Sequence, residues 1–216
     1  MRIVCNYDYT AKGFENSVSN MSVLKNGTFF NNSTVLPSFG YAKEFEIGDK
    51  NLRRKYDLPE RKRMPELQET CSQLCMKNYL SGGLSDWVNV ETFISTSDDQ
   101  IAIAPGSLIS EKTENGRKNY HYKVDHPSQN FYSFISANYQ VAKRKWKGID
   151  LEIYYHQGHE VNIERMLDAL EKSLDYYTTH FGPYYHKQAR ILEFPRYSTF
   201  AQAFPCLLYT SDAADE

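Results

Sequence analysis

The chain has 216 residues, 41% of them hydrophobic, 14% aromatic and 24% charged, which is the balance of a folded globular protein and excludes intrinsic disorder. A formal charge of −2 leaves no basic excess for neutralising phosphates, so a nucleic-acid partner is not expected, and neither is an acidic lipid surface. No run approaches the roughly 18 apolar residues of a spanning helix, and four cysteines are too few for a disulfide scaffold at this length.

From Met1 to about Tyr155 the texture is that of strands, turns and loops. "NGTFFNNSTVLPSFGY" predicts a turn at Asn26-Gly27 ahead of Phe29 and Phe30, and a break at Pro37 and Gly40. Asn20, Asn26, Asn31 and Asn32 each open an Asn-x-Ser/Thr triplet, which has meaning only in a host that glycosylates exported proteins. "KNLRRKYDLPERKR", 50 to 63, is expected to be a charged surface connection, and "MPELQETCSQLCMKNYL" a short helix ended by "SGG". Next, 88–97 and 100–110 alternate as two strands separated by Asp98 and Asp99. Asn115-Gly116 is a hairpin signal, after which Tyr120, Tyr122 and Val124 alternate with His121, Lys123 and Asp125. In "GIDLEIYY", Ile149, Leu151, Ile153 and Tyr155 share a face. The expectation is a mostly antiparallel β domain.

At His156 the period changes. Ile163, Met166, Leu167, Leu170, Leu174, Tyr177 and Phe181 lie at helical spacing, Gly182-Pro183 ends the helix, and Asp168 and Lys172 stand at i,i+4. "ARILEFP" follows as a short buried strand.

Motif chemistry is sparse. "HQGHE", 156 to 160, lacks the second histidine of a His-Glu-x-x-His zinc helix, so His159 is expected in a polar connection and not in a metal shell. Cys71 and Cys75 are spaced for one helix face and read as buried thiols, while His121, Asp125 and His126 read as surface polar residues. Phe181, Tyr184, Tyr185 and Phe194 are explained more simply by helix-to-strand packing than by a pocket lining.

The stretch "MLDALEKSLDYYTTHFGPYYHKQARILEFP", 166 to 195, with the strand-rich region before it, resembles the entry into the catalytic domain of the aminopeptidase N and leukotriene hydrolase family of zinc metallopeptidases. "LPSFGYAKEF" and "LRRKYDLPERKRMPEL" resemble a bacterial branch of that family in which the peptidase unit is joined to a transporter-permease-like membrane region. The resemblance implies a saddle-like antiparallel β-sandwich over 1–157, then the first helix and strand of an α+β thermolysin-like domain over 158–205. It implies a full-length hydrolase that uses zinc on peptide substrates, anchored to a bacterial membrane with this region outside the bilayer. The missing remainder of the catalytic domain, and a permease region in the same polypeptide, would be its partners. In this chain it implies no zinc ligand and no catalytic residue. Tyr197 and Gln202 fall in the loop that would face substrate, although the family's acidic motif there has no counterpart after Glu193.

Two other readings compete: a non-catalytic peptidase-like docking domain serving a membrane transporter, and a free-standing β-sandwich binding module over 1–157. On the peptidase reading the helix's apolar stripe is expected to be exposed, since other helices would cover it. The last eleven residues, "CLLYTSDAADE", resemble a translated transposon-type sequencing adapter, which implies that native sequence stops at Pro205.

Overall fold

A computed structural model describes residues 2–6, 8–11, 22–37, 46–61, 69–70, 87–194, 202–204 and 207–210. The segment containing Cys71 and Cys75, with its expected helix, lies outside the described residues. The chain is mainly β, with several antiparallel sheets and one longer helix near the C-terminus.

In chain order the strands are β1 Val23–Leu24, β2 Gly27–Asn31, β3 Trp87–Val88, β4 Glu91–Ser97, β5 Ile101–Ile103, β6 Ser107–Glu114, β7 Arg117–Lys123 and β8 Ser128–Gln129. They continue with β9 Ser133–Ala137, β10 Gln140–Trp146, β11 Ile149–Tyr155, β12 Gln188–Glu193, β13 Gln202–Phe204 and β14 Leu207–Thr210. The helices are α1 Asn32–Val35, α2 Lys50–Lys55 and α3 Ile163–Phe181. The strands form sheets ordered β1-β2-β9-β5, β4-β7-β6, β3-β8 and β10-β11-β12-β14-β13.

The hairpin signal at Asn115-Gly116 is realised: Glu114 pairs with Arg117, and both loop residues take positive φ, 54° and 69°. Lys147-Gly148, at 45° and 88°, makes the equivalent turn between β10 and β11. Such left-handed pairs match the twist of the strands they join, and glycine in the second position adopts it without a Cβ penalty.

Several expectations need correction. The segment 100–110 is not one strand. Pro105 and Gly106 divide it into β5, which pairs with β9, and β6, which pairs with β7 in another sheet. Gly106 has φ +91°, and a Cβ there would lie 2.2 Å from the Lys123 carbonyl carbon and oxygen, so the crossing requires glycine. The first turn is Lys25-Asn26, with Gly27 already paired to Leu24. Within the charged stretch 50–63, Lys50 to Lys55 form α2, because the Asp49 side chain accepts from the Leu52 backbone N–H at the helix start. Arg53 then folds the connection back by donating to the carbonyls of Ile47 and Pro59.

β11 holds the architecture together. It pairs antiparallel with β10 and parallel with β12, Leu151 opposite Ala189 and Ile153 opposite Ile191. The alternation read from sequence gave it one buried face, yet Glu152 and Tyr154 on the other face are buried too. One face meets α3, where Leu151, Ile153 and Ala189 pack on Ile163, Leu167, Leu170 and Leu174. The other face meets the β2-β9-β5 sheet through Tyr154, Leu192, Ile103, Ile135 and Ala137. That sheet in turn presents Ala102 and Ala104 to Tyr120 and Tyr122 of β7. Antiparallel sheets thus stack behind a sheet whose outer face carries α3.

Most of the apolar stripe of α3 is covered, contrary to the expectation of exposure. Leu167, Leu170 and Leu174 are all under 9% accessible, and burying each contributes roughly 1.5–3 kcal/mol. The expectation holds only at the C-terminal end, where Tyr177 and Phe181 are exposed. Asp168 pairs directly with Arg144, and Lys172 at i,i+4 adds only a weaker electrostatic pull. Asp168 joins Glu164 and Glu171 around Arg144 of β10, at 2.7, 2.6 and 3.1 Å, fixing the helix to the sheet edge. Leu207 to Thr210, within the adapter-like stretch, lie parallel to β12 between it and β13. Leu, Tyr and Thr suit a pleated strand whatever their origin.

Candidate functional site

In sheets with parallel strands, groups that act on ligands gather beyond the carboxyl ends of those strands, where connections leave the sheet. β11 and β12 are such a pair. The polypeptide leaves β11 at Tyr155 and continues into His156, while β12 ends at Glu193. The parallel register therefore sets the two histidines of "HQGHE" beside the Glu193 carboxylate.

One Glu193 oxygen accepts the His156 backbone N–H at 2.7 Å, and the other lies 2.7 Å from His159 Nδ1. The carboxylate accepts only, so the Nδ1 proton belongs to the imidazole and the pair fixes its tautomer. Tyr139 donates its hydroxyl to the Glu193 backbone carbonyl, and its ring stacks on His156 at 5.2 Å between centroids. Asn26, from the first β turn, places its side-chain nitrogen 3.3 Å from His156 Nε2. Glu160 turns back to accept the Gly158 N–H at 3.0 Å, and that bond lowers its pKa. Glu193 has only 12% of its side chain accessible, and its two oxygens are satisfied locally by the His156 N–H and the His159 imidazole.

Behind this cluster lies a buried ion pair. Glu152 and Arg190 are register partners in the centres of β11 and β12. Arg190 Nε donates to Glu152 Oε2 at 2.8 Å, and its Nη1 donates to the Gly106 carbonyl at 2.8 Å. The guanidinium also sits 5.7 Å from the Tyr122 ring centroid. Tyr154 donates to Glu152 at 2.8 Å, and Lys143 approaches its other oxygen at 3.0 Å. Burial is the largest influence on Glu152 and pushes its pKa up. Arg190, Lys143 and Tyr154 together outweigh it and hold the carboxyl below its ordinary value. Burial and the adjacent Glu152 charge drive Tyr154 well above the usual phenol range, and burial likewise raises Tyr122, against the pull of Arg190. These groups are locked in one protonation state at neutral pH, as suits a clamp that fixes the register of two strands.

Of the residues expected to face substrate, Gln202 lies in β13, paired in backbone register with Tyr209, and Tyr197 lies outside the described residues. His159 is in the polar strand-to-helix connection that the sequence predicts, but it reaches across to Glu193, a long-range contact that local spacing does not reveal. His121 is half-buried, stacked on Phe93 at 4.2 Å and bonded to Glu91 at 2.8 Å. Asp125 accepts from Ser107 at 2.9 Å and faces Lys187 at 3.7 Å. His186 has its pKa lowered by burial and by the charge of His126, with Asp125 opposing. Packing explains Phe194 and part of Tyr184, as expected, but leaves Phe181 and Tyr185 exposed at 76% and 71%.

Sequence reasoning missed the Glu152–Arg190 pair. Its signal was present: a charged residue stands between apolar neighbours in each of two strands, in "LEI" and "ARI". Among the described residues, no group of three or more His, Cys, Asp or Glu side chains is arranged to hold a metal ion. No helix among the described residues is long and apolar enough to cross a membrane. No protein-family model matches the chain, and no curated protein matches it.

Proposed function

We propose that this chain is the N-terminal portion of a zinc-dependent aminopeptidase-like protein, comprising a β-rich domain and the first helix and strand of the catalytic domain. The observation that carries the reading is the order of elements: antiparallel sheets, then the long helix Ile163–Phe181, then Phe181-Gly182-Pro183-Tyr184, then a buried parallel strand ending at the Glu193 cluster. In the complete protein, zinc would polarise the scissile carbonyl and activate water for hydrolysis of an N-terminal peptide bond. The zinc ligands and the general base would come from later sequence. The part played by this chain is to position the end of β12, beyond which the segment expected to face substrate continues, with Gln202 carried by β13. The full protein would be anchored to a bacterial membrane, with this region outside the bilayer.

A second reading is a non-catalytic docking domain of a membrane transporter. It is favoured by the exposed aromatic end of α3, where the rings of Tyr176, Tyr177 and Phe181 meet one another. Sequencing the gene through about a hundred codons past Pro205 separates the two. The peptidase reading expects a His-Glu-x-x-His helix with a later glutamate, and chelator-sensitive release of an amino-acid amide by the full-length protein. A full gene with neither motif nor activity overturns it and leaves the docking reading.

A further inference from the structure

We draw no further inference here: the strongest candidate, the exposed aromatic surface patch formed by Tyr176, Tyr177 and Phe181 at the C-terminal end of the long helix, carries nothing because nothing in the structure shows what covers it.

Discussion

Replacing Arg190 by methionine keeps the length and apolar bulk of the side chain while removing its charge and its donors. The variant loses the 2.8 Å bonds to Glu152 and to the Gly106 carbonyl. Glu152, itself buried, keeps Tyr154 and the tip of the exposed Lys143. Breaking one side of a buried pair costs about 3–5 kcal/mol, because the remaining charge is desolvated without compensation. The retained contacts place Arg190→Met at about 3 kcal/mol, the lower end of that range. Glu152→Gln strands the guanidinium but preserves its bond to Gly106, so about 2–3 kcal/mol is expected. Combining Arg190→Met with Glu152→Leu removes both charges, and the double variant is expected within about 1.5 kcal/mol of the native chain. Urea unfolding followed by circular dichroism, with the slope of the transition checked for constancy, measures all of these. If Arg190→Met costs under about 1 kcal/mol, or if the double variant costs as much as Arg190→Met and Glu152→Leu made singly and added, the clamp argument fails. The pair also sets a pH dependence. Because the folded pKa of Glu152 is lowered from 4.5, its contribution is present above that value and is lost as pH falls through the lower folded value. Glu152→Gln should flatten the acid limb of the stability curve.

The helix-to-sheet core is tested by Leu167→Ala, which should cost about 3 kcal/mol since the side chain is 2% exposed against Leu151 and Ile153; Phe181→Ser, at the exposed end, should stay within about 0.5 kcal/mol. Equal thermal shifts for the two would contradict the described docking of α3. Gly106→Ala should cost about 3 kcal/mol or more, from left-handed strain and collision with the Lys123 backbone, whereas Gly116→Ala, with nothing within 4 Å, should cost about 1 kcal/mol. Chemical denaturation of the two variants side by side checks the order. At the strand ends, Glu193→Gln should weaken the hold on the β11–α3 connection, seen as faster amide hydrogen exchange at His156 and His159 with little change at Leu151 or Ile153. Uniformly faster exchange would mean that Glu193 supports the whole sheet instead.

Elements governed by local rules were legible in the sequence. The Asn115-Gly116 hairpin, the alternation of Tyr120 and Tyr122 with His121 and Lys123, and the helix from Ile163 each follow from φ preference or side-chain periodicity within one segment. What was not legible depends on partners far along the chain. Pro105-Gly106 marks a break between Gln100 and Ser110, but local pattern cannot say that the two halves pair in different sheets or that Gly106 lies against the Lys123 backbone. The stripe on α3 identifies a buried face but not what buries it, and here the strands on either side of the helix do so.

The candidate site shows the same division, with a chemical consequence. "HQGHE" fails as a metal motif when its residues are compared with one another. The relevant neighbour of His159 is Glu193, 34 positions later, brought there because β11 and β12 run parallel and end together. Their common register is stabilised by Glu152 and Arg190, a pair whose members each look misplaced in an apolar strand when read alone. Charge inside β11 and β12 therefore serves the geometry at their ends. An apolar substitute could restore stability, as the double variant is expected to do, while loosening the alignment that sets Glu193 against His156 and His159. Measuring exchange at those two histidines in the Arg190→Met, Glu152→Leu variant separates the two roles: protection retained at native stability would show that packing alone fixes the register, and protection lost would assign that task to the ion pair.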